Sequence, residues 1–277
     1  MAEIEIGMGK TGRRAYGLDD LALVPSRRTR DPEDIDLRWE IDAFTFDLPI
    51  MAAAMDSVVS PASAVTLGNL GAVGVLALEG LWTRYEDPTS MITEIARLGD
   101  DTSIARMQAL YSEPIKPELI RDRIKEIRAS GVVSCAAITP QRLPTYADTL
   151  LAAELDLLVI QGTVVSAEHV TKDGDPLNLK TFVRRFDIPV IVGGCASYQS
   201  ARHLMRTGAA GILVGVGAGA TSTTRTVIGV GSAQATAIAD ARSARLRHLD
   251  ETGVYVHLIA DGGITTGGDI AKAVACG

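Results

Sequence analysis

Short apolar runs recur along this chain, and each is followed by a segment with helical spacing. The runs are Leu48–Ala54, Ala72–Ala77, Val132–Ile138, Leu155–Ile160, Ile188–Val192, Gly211–Val214 and Tyr255–Ala260. Between and after them lie helical patterns at Leu119–Ala129, Thr145–Ala153, Leu179–Phe186, Tyr198–Thr207, Ala233–Asp250 and Asp269–Ala275. Apolar strands of four to seven residues alternating with helices indicate βαβ units and a parallel sheet. Aromatic residues are 4% of the chain while apolar residues are 47%. The core must therefore be built from Ala, Val, Ile and Leu, as in sheets buried on both faces.

Most of these strands end in small or polar residues. Met55-Asp56-Ser57, Gln161-Gly162-Thr163, Gly193-Gly194-Cys195, Gly217-Ala218-Gly219 and Asp261-Gly262-Gly263 all occupy that place. The chemistry is thus expected at the C-terminal ends of the strands, where α/β barrels carry their active sites. The expected fold class is α/β, a TIM (β/α)8 barrel. Seven strands are counted where eight are needed, so the chain as given is expected to lack its last βα unit. Residues 1–277 read as one barrel domain, C-terminally incomplete. An open doubly wound sheet is the alternative.

Net charge is −7, which argues against a nucleic-acid surface. The local basic cluster Arg27, Arg28 and Arg30 reads as a solvated loop. Cys135, Cys195 and Cys276 are far apart, no CxxC occurs, and the four histidines show no paired-ligand spacing. No structural metal is expected. Sparse thiols, no signal-like start and no apolar stretch near about 18 residues predict a cytoplasmic protein without a membrane span.

The richest stretch is Val214 to Gln234, VGVGAGATSTTRTVIGVGSAQ. Gly215, Gly217 and Gly219 alternate, which lets backbone turn tightly and approach a ligand. This loop resembles that of the IMP dehydrogenase and GMP reductase family, G-x-G-x-G-S-x-C-T-T-R. Three more stretches resemble the family in order. They are Leu18-Asp19-Asp20-Leu21-Ala22-Leu23-Val24-Pro25, Pro49 through Ser57 (PIMAAAMDS), and Ile259-Ala260-Asp261-Gly262-Gly263-Ile264. Without a CBS insertion, the chain is similar to the short, IMP-dehydrogenase-related branch.

The resemblance implies an oxidoreductase that takes IMP and NAD to XMP and NADH, in GMP biosynthesis. It implies a purine nucleotide, IMP or GMP, as partner, and a homotetramer. It places Ser222 where the family carries its catalytic cysteine, with Thr224 and Arg225 as the following catalytic-loop residues. Asp261 would hold the ribose hydroxyls, Gly262 and Gly263 would face the phosphate, and Gly219 would join them in binding substrate. Met55 would lie near the purine. Gln161 aligns with the family's nicotinamide-ribose aspartate, and Gly215 and Gly217 complete the implied cofactor side. A monovalent cation, K+, would sit on Gly217, Gly219 and Ser222.

Departures from the pattern are Cys195 for the asparagine of GGN, Leu213 for an arginine, and Ala220 for the phosphate serine. The family's last phosphate glycines and its mobile flap fall beyond Gly277. A serine hydroxyl ionises far less than a thiol and needs a base beside it. The alternative reading is therefore a catalytically impaired purine-nucleotide-binding protein with a regulatory role. A flavin barrel with the same phosphate motif is a third, which leaves AAMD-S and STTR unexplained.

Overall fold

The computed structural model describes residues 3–28, 30–169 and 177–277. Seven parallel strands alternate with helices. The strands are β1 (Met51–Ala52), β2 (Val73–Ala77), β3 (Cys135–Ile138), β4 (Leu157–Gln161), β5 (Val190–Cys195), β6 (Gly211–Val214) and β7 (His257–Ala260), and their order in the sheet follows the chain. The helices are α1 (Pro61–Asn69), α2 (Thr89–Ile95), α3 (Asp100–Tyr111), α4 (Pro117–Ala129), α5 (Leu143–Ala152), α6 (Leu179–Val183), α7 (Tyr198–Met205), α8 (Thr224–Val227), α9 (Gln234–Thr252) and α10 (Gly267–Cys276).

The chain divides into two compact units. One comprises residues 32–162 and 170–191, the other residues 1–31, 163–169 and 192–277. In the first, β1 pairs with β2, β2 with β3 and β3 with β4. In the second, β6 pairs with β7 along its whole length, Gly211 opposite His257 through Val214 opposite Ala260. Strand β5 starts in one unit and ends in the other.

Strands β3, β5 and β6 are buried at every position, the expected result for a parallel sheet covered by helices. The helices begin where their sequences direct. Ser60 and Ser197 each close a capping box, with Ser63 and Ser200, at the starts of α1 and α7. Pro117 opens α4, which buries Leu119, Ile120, Ile124 and Ile127 on one face. Thr266 and Asp269 form the capping box of α10.

Five strands are shorter than their apolar runs predict, β1 and β3 by the most. The run Leu48–Ala54 contracts to Met51–Ala52. Pro49 offers no N–H to a ladder, and the Ile50 N–H turns back to the Leu48 carbonyl. Likewise Val132–Ser134 stay outside β3, because Ser134 donates through N and Oγ to the Asp156 carboxylate at 2.9 and 2.7 Å. Segments not read as strands form small antiparallel pairs, Glu3–Gly7 with Lys10–Arg13 and Trp39–Ile41 with Phe44–Phe46. Among the described residues no helix is long and apolar enough to cross a membrane.

Candidate active site

The glycine loop leaves β6, and Asp261-Gly262-Gly263 leaves the adjoining β7, within one unit. The two exits interlock. A Cβ at Gly215 would run into the Asp261 carbonyl. A Cβ at Gly262 would stand 2.9 Å from the Gly219 nitrogen, and one at Gly263 would stand 3.2 Å from the Ala218 carbonyl. Gly262 also has φ +84°, a conformation that costs an L side chain strain. Glycine is required here because two backbones touch.

Asp261 is fixed through its main chain. Its N–H donates to the Val214 carbonyl at 2.8 Å, and its carbonyl accepts from Gln234 Nε2 at 3.3 Å. Beside it, the N–H groups of Gly219, Ala220, Thr221, Gly262 and Gly263 make no hydrogen bond to any described residue. Unpaired backbone donors on a loop lined by glycine form an anion-binding concavity. Together with a neighbouring carboxylate, they offer donors for a phosphate and acceptors for hydroxyl groups.

The Ser-Thr-Thr-Arg run begins a four-residue helix, α8, rather than a long open loop. Ser222 Oγ donates to Thr224 Oγ1 at 3.2 Å and accepts weakly from the Thr224 N–H at 3.4 Å. The Ser222 N–H in turn donates to the Gly219 carbonyl at 3.1 Å. No histidine or carboxylate among the described residues bonds to Ser222 Oγ. The stem of Arg225 lies across two glycines: a Cβ on Gly217 would stand 2.7 Å from Arg225 Cγ, and one on Gly231 would overlap it. Arg225 is exposed and makes no ion pair among the described residues.

Met55 and Gln161 belong to the other unit, each at the end of its own strand. Met55 caps the exit of β1. Its carbonyl accepts from the Val58 and Val59 N–H groups, and its side chain is 46% exposed. Asp56 beside it is tied down by its own unit. Its Oδ2 accepts from the Leu81 N–H at 2.8 Å and from the Tyr111 hydroxyl at 2.5 Å, while Oδ1 is buried against Gly80. Burial, then Asp56, pushes the Tyr111 hydroxyl up, so it stays a donor. The Arg84 guanidinium lies 5.7 Å from the Tyr111 ring centre. Gln161 ends β4 half-buried.

Cys195 ends β5 at 1% exposure, and burial pushes its thiol up to about 12. It is a packed side chain, not a ready thiolate. Cys135 is likewise raised, by burial and Asp156. No cluster of three or more His, Cys, Asp or Glu suited to a metal occurs among the described residues.

Three residues that fasten these exits carry no obvious sequence signal: Gln234, Tyr111 and Gly231. Gln234 closes the glycine-rich stretch, yet it reads there as the second residue of the helix pattern Ala233–Asp250. Tyr111 lies 55 residues from Asp56, and no spacing rule links them.

Known proteins resemble this chain along nearly its whole length. The model of the IMP dehydrogenase / GMP reductase domain matches residues 15–277. The chain is 48% identical over 281 residues to an uncharacterized oxidoreductase of Mycobacterium tuberculosis, covering 99% of this chain and 75% of the relative. It is 46% identical, with the same coverage, to an uncharacterized oxidoreductase of Mycolicibacterium smegmatis. More distantly, it is 25% identical over 355 residues to an inosine-5'-monophosphate dehydrogenase of Methanocaldococcus jannaschii, covering 96% of this chain and 70% of that one. Among solved structures, the crystal structure of an IMP dehydrogenase/GMP reductase-like protein from Corynebacterium glutamicum matches with a TM-score of 0.93 at 44% identity. It covers 99% of this chain and 73% of that chain. The α/β barrel class expected from the strand pattern is the fold of this chain.

Proposed function

This chain belongs to the IMP dehydrogenase / GMP reductase family, and from that premise we propose that it is an oxidoreductase of purine nucleotide metabolism that converts IMP and NAD to XMP and NADH. The observation that supports a nucleotide site most directly is the β6–β7 exit. There the N–H groups of Gly219, Gly262 and Gly263 are unpaired among the described residues, on a glycine surface beside Asp261. A phosphate takes such donors, and an adjacent carboxylate can accept from two ribose hydroxyls at once. Met55, exposed at its strand end, supplies an apolar polarisable surface of the kind that suits a purine.

In this reading Ser222, Thr224 and Arg225 are the reacting loop. Thr224 holds the Ser222 hydroxyl in place, and Arg225 brings a positive charge anchored over Gly217 and Gly231. The nicotinamide cofactor supplies hydride acceptance. Gln161 fits that cofactor's ribose, since one amide both accepts from and donates to hydroxyls. The oxygen-only donor set of Gly217, Gly219 and Ser222 suits K+, although the Gly219 carbonyl already accepts from the Ser222 N–H. A cytoplasmic homotetramer is part of the same proposal.

A second reading has its own observation. Ser222 Oγ bonds to Thr224 and to no base among the described residues, and a hydroxyl without a base is a weak nucleophile. That favours a purine-nucleotide-binding protein with impaired turnover and a regulatory role. Absorbance at 340 nm with IMP and NAD, for the wild type and Ser222→Cys, separates the two. NADH from the wild type supports the enzyme. NADH from Ser222→Cys alone supports the disarmed binding protein. Neither signal, with no IMP binding by calorimetry, defeats both.

A further inference from the structure

Gln234 is 4% exposed at the first position of α9, where no side chain caps the helix. Its amide instead reaches the two strand exits. Nε2 donates to the Val214 carbonyl at 2.7 Å and to the Asp261 carbonyl at 3.3 Å. Both neighbours are acceptors, which settles which end of the amide faces them. Its Oε1 is buried and has no partner among the described residues. A buried amide with one end unsatisfied is a poor source of stability. The Val214 carbonyl, moreover, already accepts from the Asp261 N–H at 2.8 Å. The other contact of this amide is the Asp261 carbonyl, which lies against Gly215.

We infer that Gln234 is a positioning residue for the nucleotide site: it fixes the peptide plane of Asp261, and so the direction in which the Asp261 carboxylate meets the ribose hydroxyls. It touches no ligand and acts through Asp261. The inference rests on the proposed reading of Asp261, and it adds a residue to which neither the family pattern nor the comparisons give a role.

A double-mutant cycle on IMP binding to the full chain, measured by titration calorimetry, tests it. Gln234→Met removes the donor and keeps the apolar volume. It is expected to raise the Kd for IMP about tenfold in the wild-type background and less than about twofold in Asp261→Ala, with a cooperative melt in each case. Gln234→Asn, which keeps the amide and shortens its reach, is expected to act in the same direction and serves if the methionine variant does not fold. An equal factor in both backgrounds, or no change in the wild type, overturns the positioning role and leaves the Asp261 reading standing. Asp261→Ala binding IMP as tightly as the wild type overturns the Asp261 reading, and this inference with it.

Discussion

Two strand exits that carry an aspartate differ in what surrounds it. At the β1 exit, the Asp56 side chain is consumed by its own unit: it caps Leu81, takes the Tyr111 hydroxyl and packs on Gly80. At the β7 exit, Asp261 is held by its main chain, through the Val214 carbonyl and the Gln234 amide. The first aspartate is a structural rivet. The second sits among glycines whose N–H groups are unpaired among the described residues. An acidic residue at a strand end is therefore no sign of a site by itself. What surrounds it makes the difference: donors that bond the Asp56 carboxylate in one case, glycine N–H groups unpaired among the described residues in the other.

The widest separation between the two exits is expected in ligand affinity. Asp261→Ala should weaken IMP binding about tenfold to a hundredfold, the range for losing charge-assisted hydrogen bonds. Asp56→Asn should change it less than about twofold, because a carboxylate oriented inward contributes stability, not recognition. Calorimetry on both variants checks this, and equal losses would erase the distinction.

Glycine replacements come next. Gly215→Ala and Gly80→Ala each drive a methyl group into a neighbour, the Asp261 carbonyl and the Asp56 carboxylate respectively. Overpacking of this kind costs about 1–3 kcal/mol, so both should melt several degrees lower. Gly219→Ala meets nothing within 4 Å and should melt as the wild type does. If Gly219→Ala nonetheless weakens IMP binding, the loop's role in binding is sharpened.

Tyr111→Phe removes one hydrogen bond to Asp56 and should cost about 1 kcal/mol in a denaturant titration, with IMP binding unchanged. A marked loss of binding would mean that the β1 exit is not merely structural.

The smallest effect is in pH. His248 is lowered by burial and then by Arg206, and His257 by burial and then by Arg245. The unfolded chain then takes up protons more readily than the folded one, near the ordinary histidine value of about 6.5. Their contribution is complete above that value and declines as pH falls below it toward the lowered folded values. A melting temperature that drops between pH 7.5 and 5.5, less so in His248→Gln, is the expected result.

Much of the fold is legible in the sequence. Strand β6 lies at its predicted residues, and α4 and α9 stand within two residues of theirs. Apolar periodicity is a local property that survives into the folded state. At β3 and β1 the boundaries moved because Asp156 holds Ser134 and Pro49 breaks the ladder. The candidate site was legible as glycines and polar residues at strand ends. The start of α8 at Thr224 was not, since a single turn leaves no periodicity to read.

By itself, the sequence determined the alternation of strands and helices, the small and polar residues at the strand ends, and the family resemblance. These follow from residue spacing along one dimension. Only the tertiary structure decided that Tyr111 consumes Asp56, that Gln234 holds Asp261, that Arg225 rests on Gly217 and Gly231, and that Cys195 is packed away. Each of those joins residues distant in sequence. Hydrogen bonds and close contacts depend on distances of about 3 Å, which no pattern in the chain encodes.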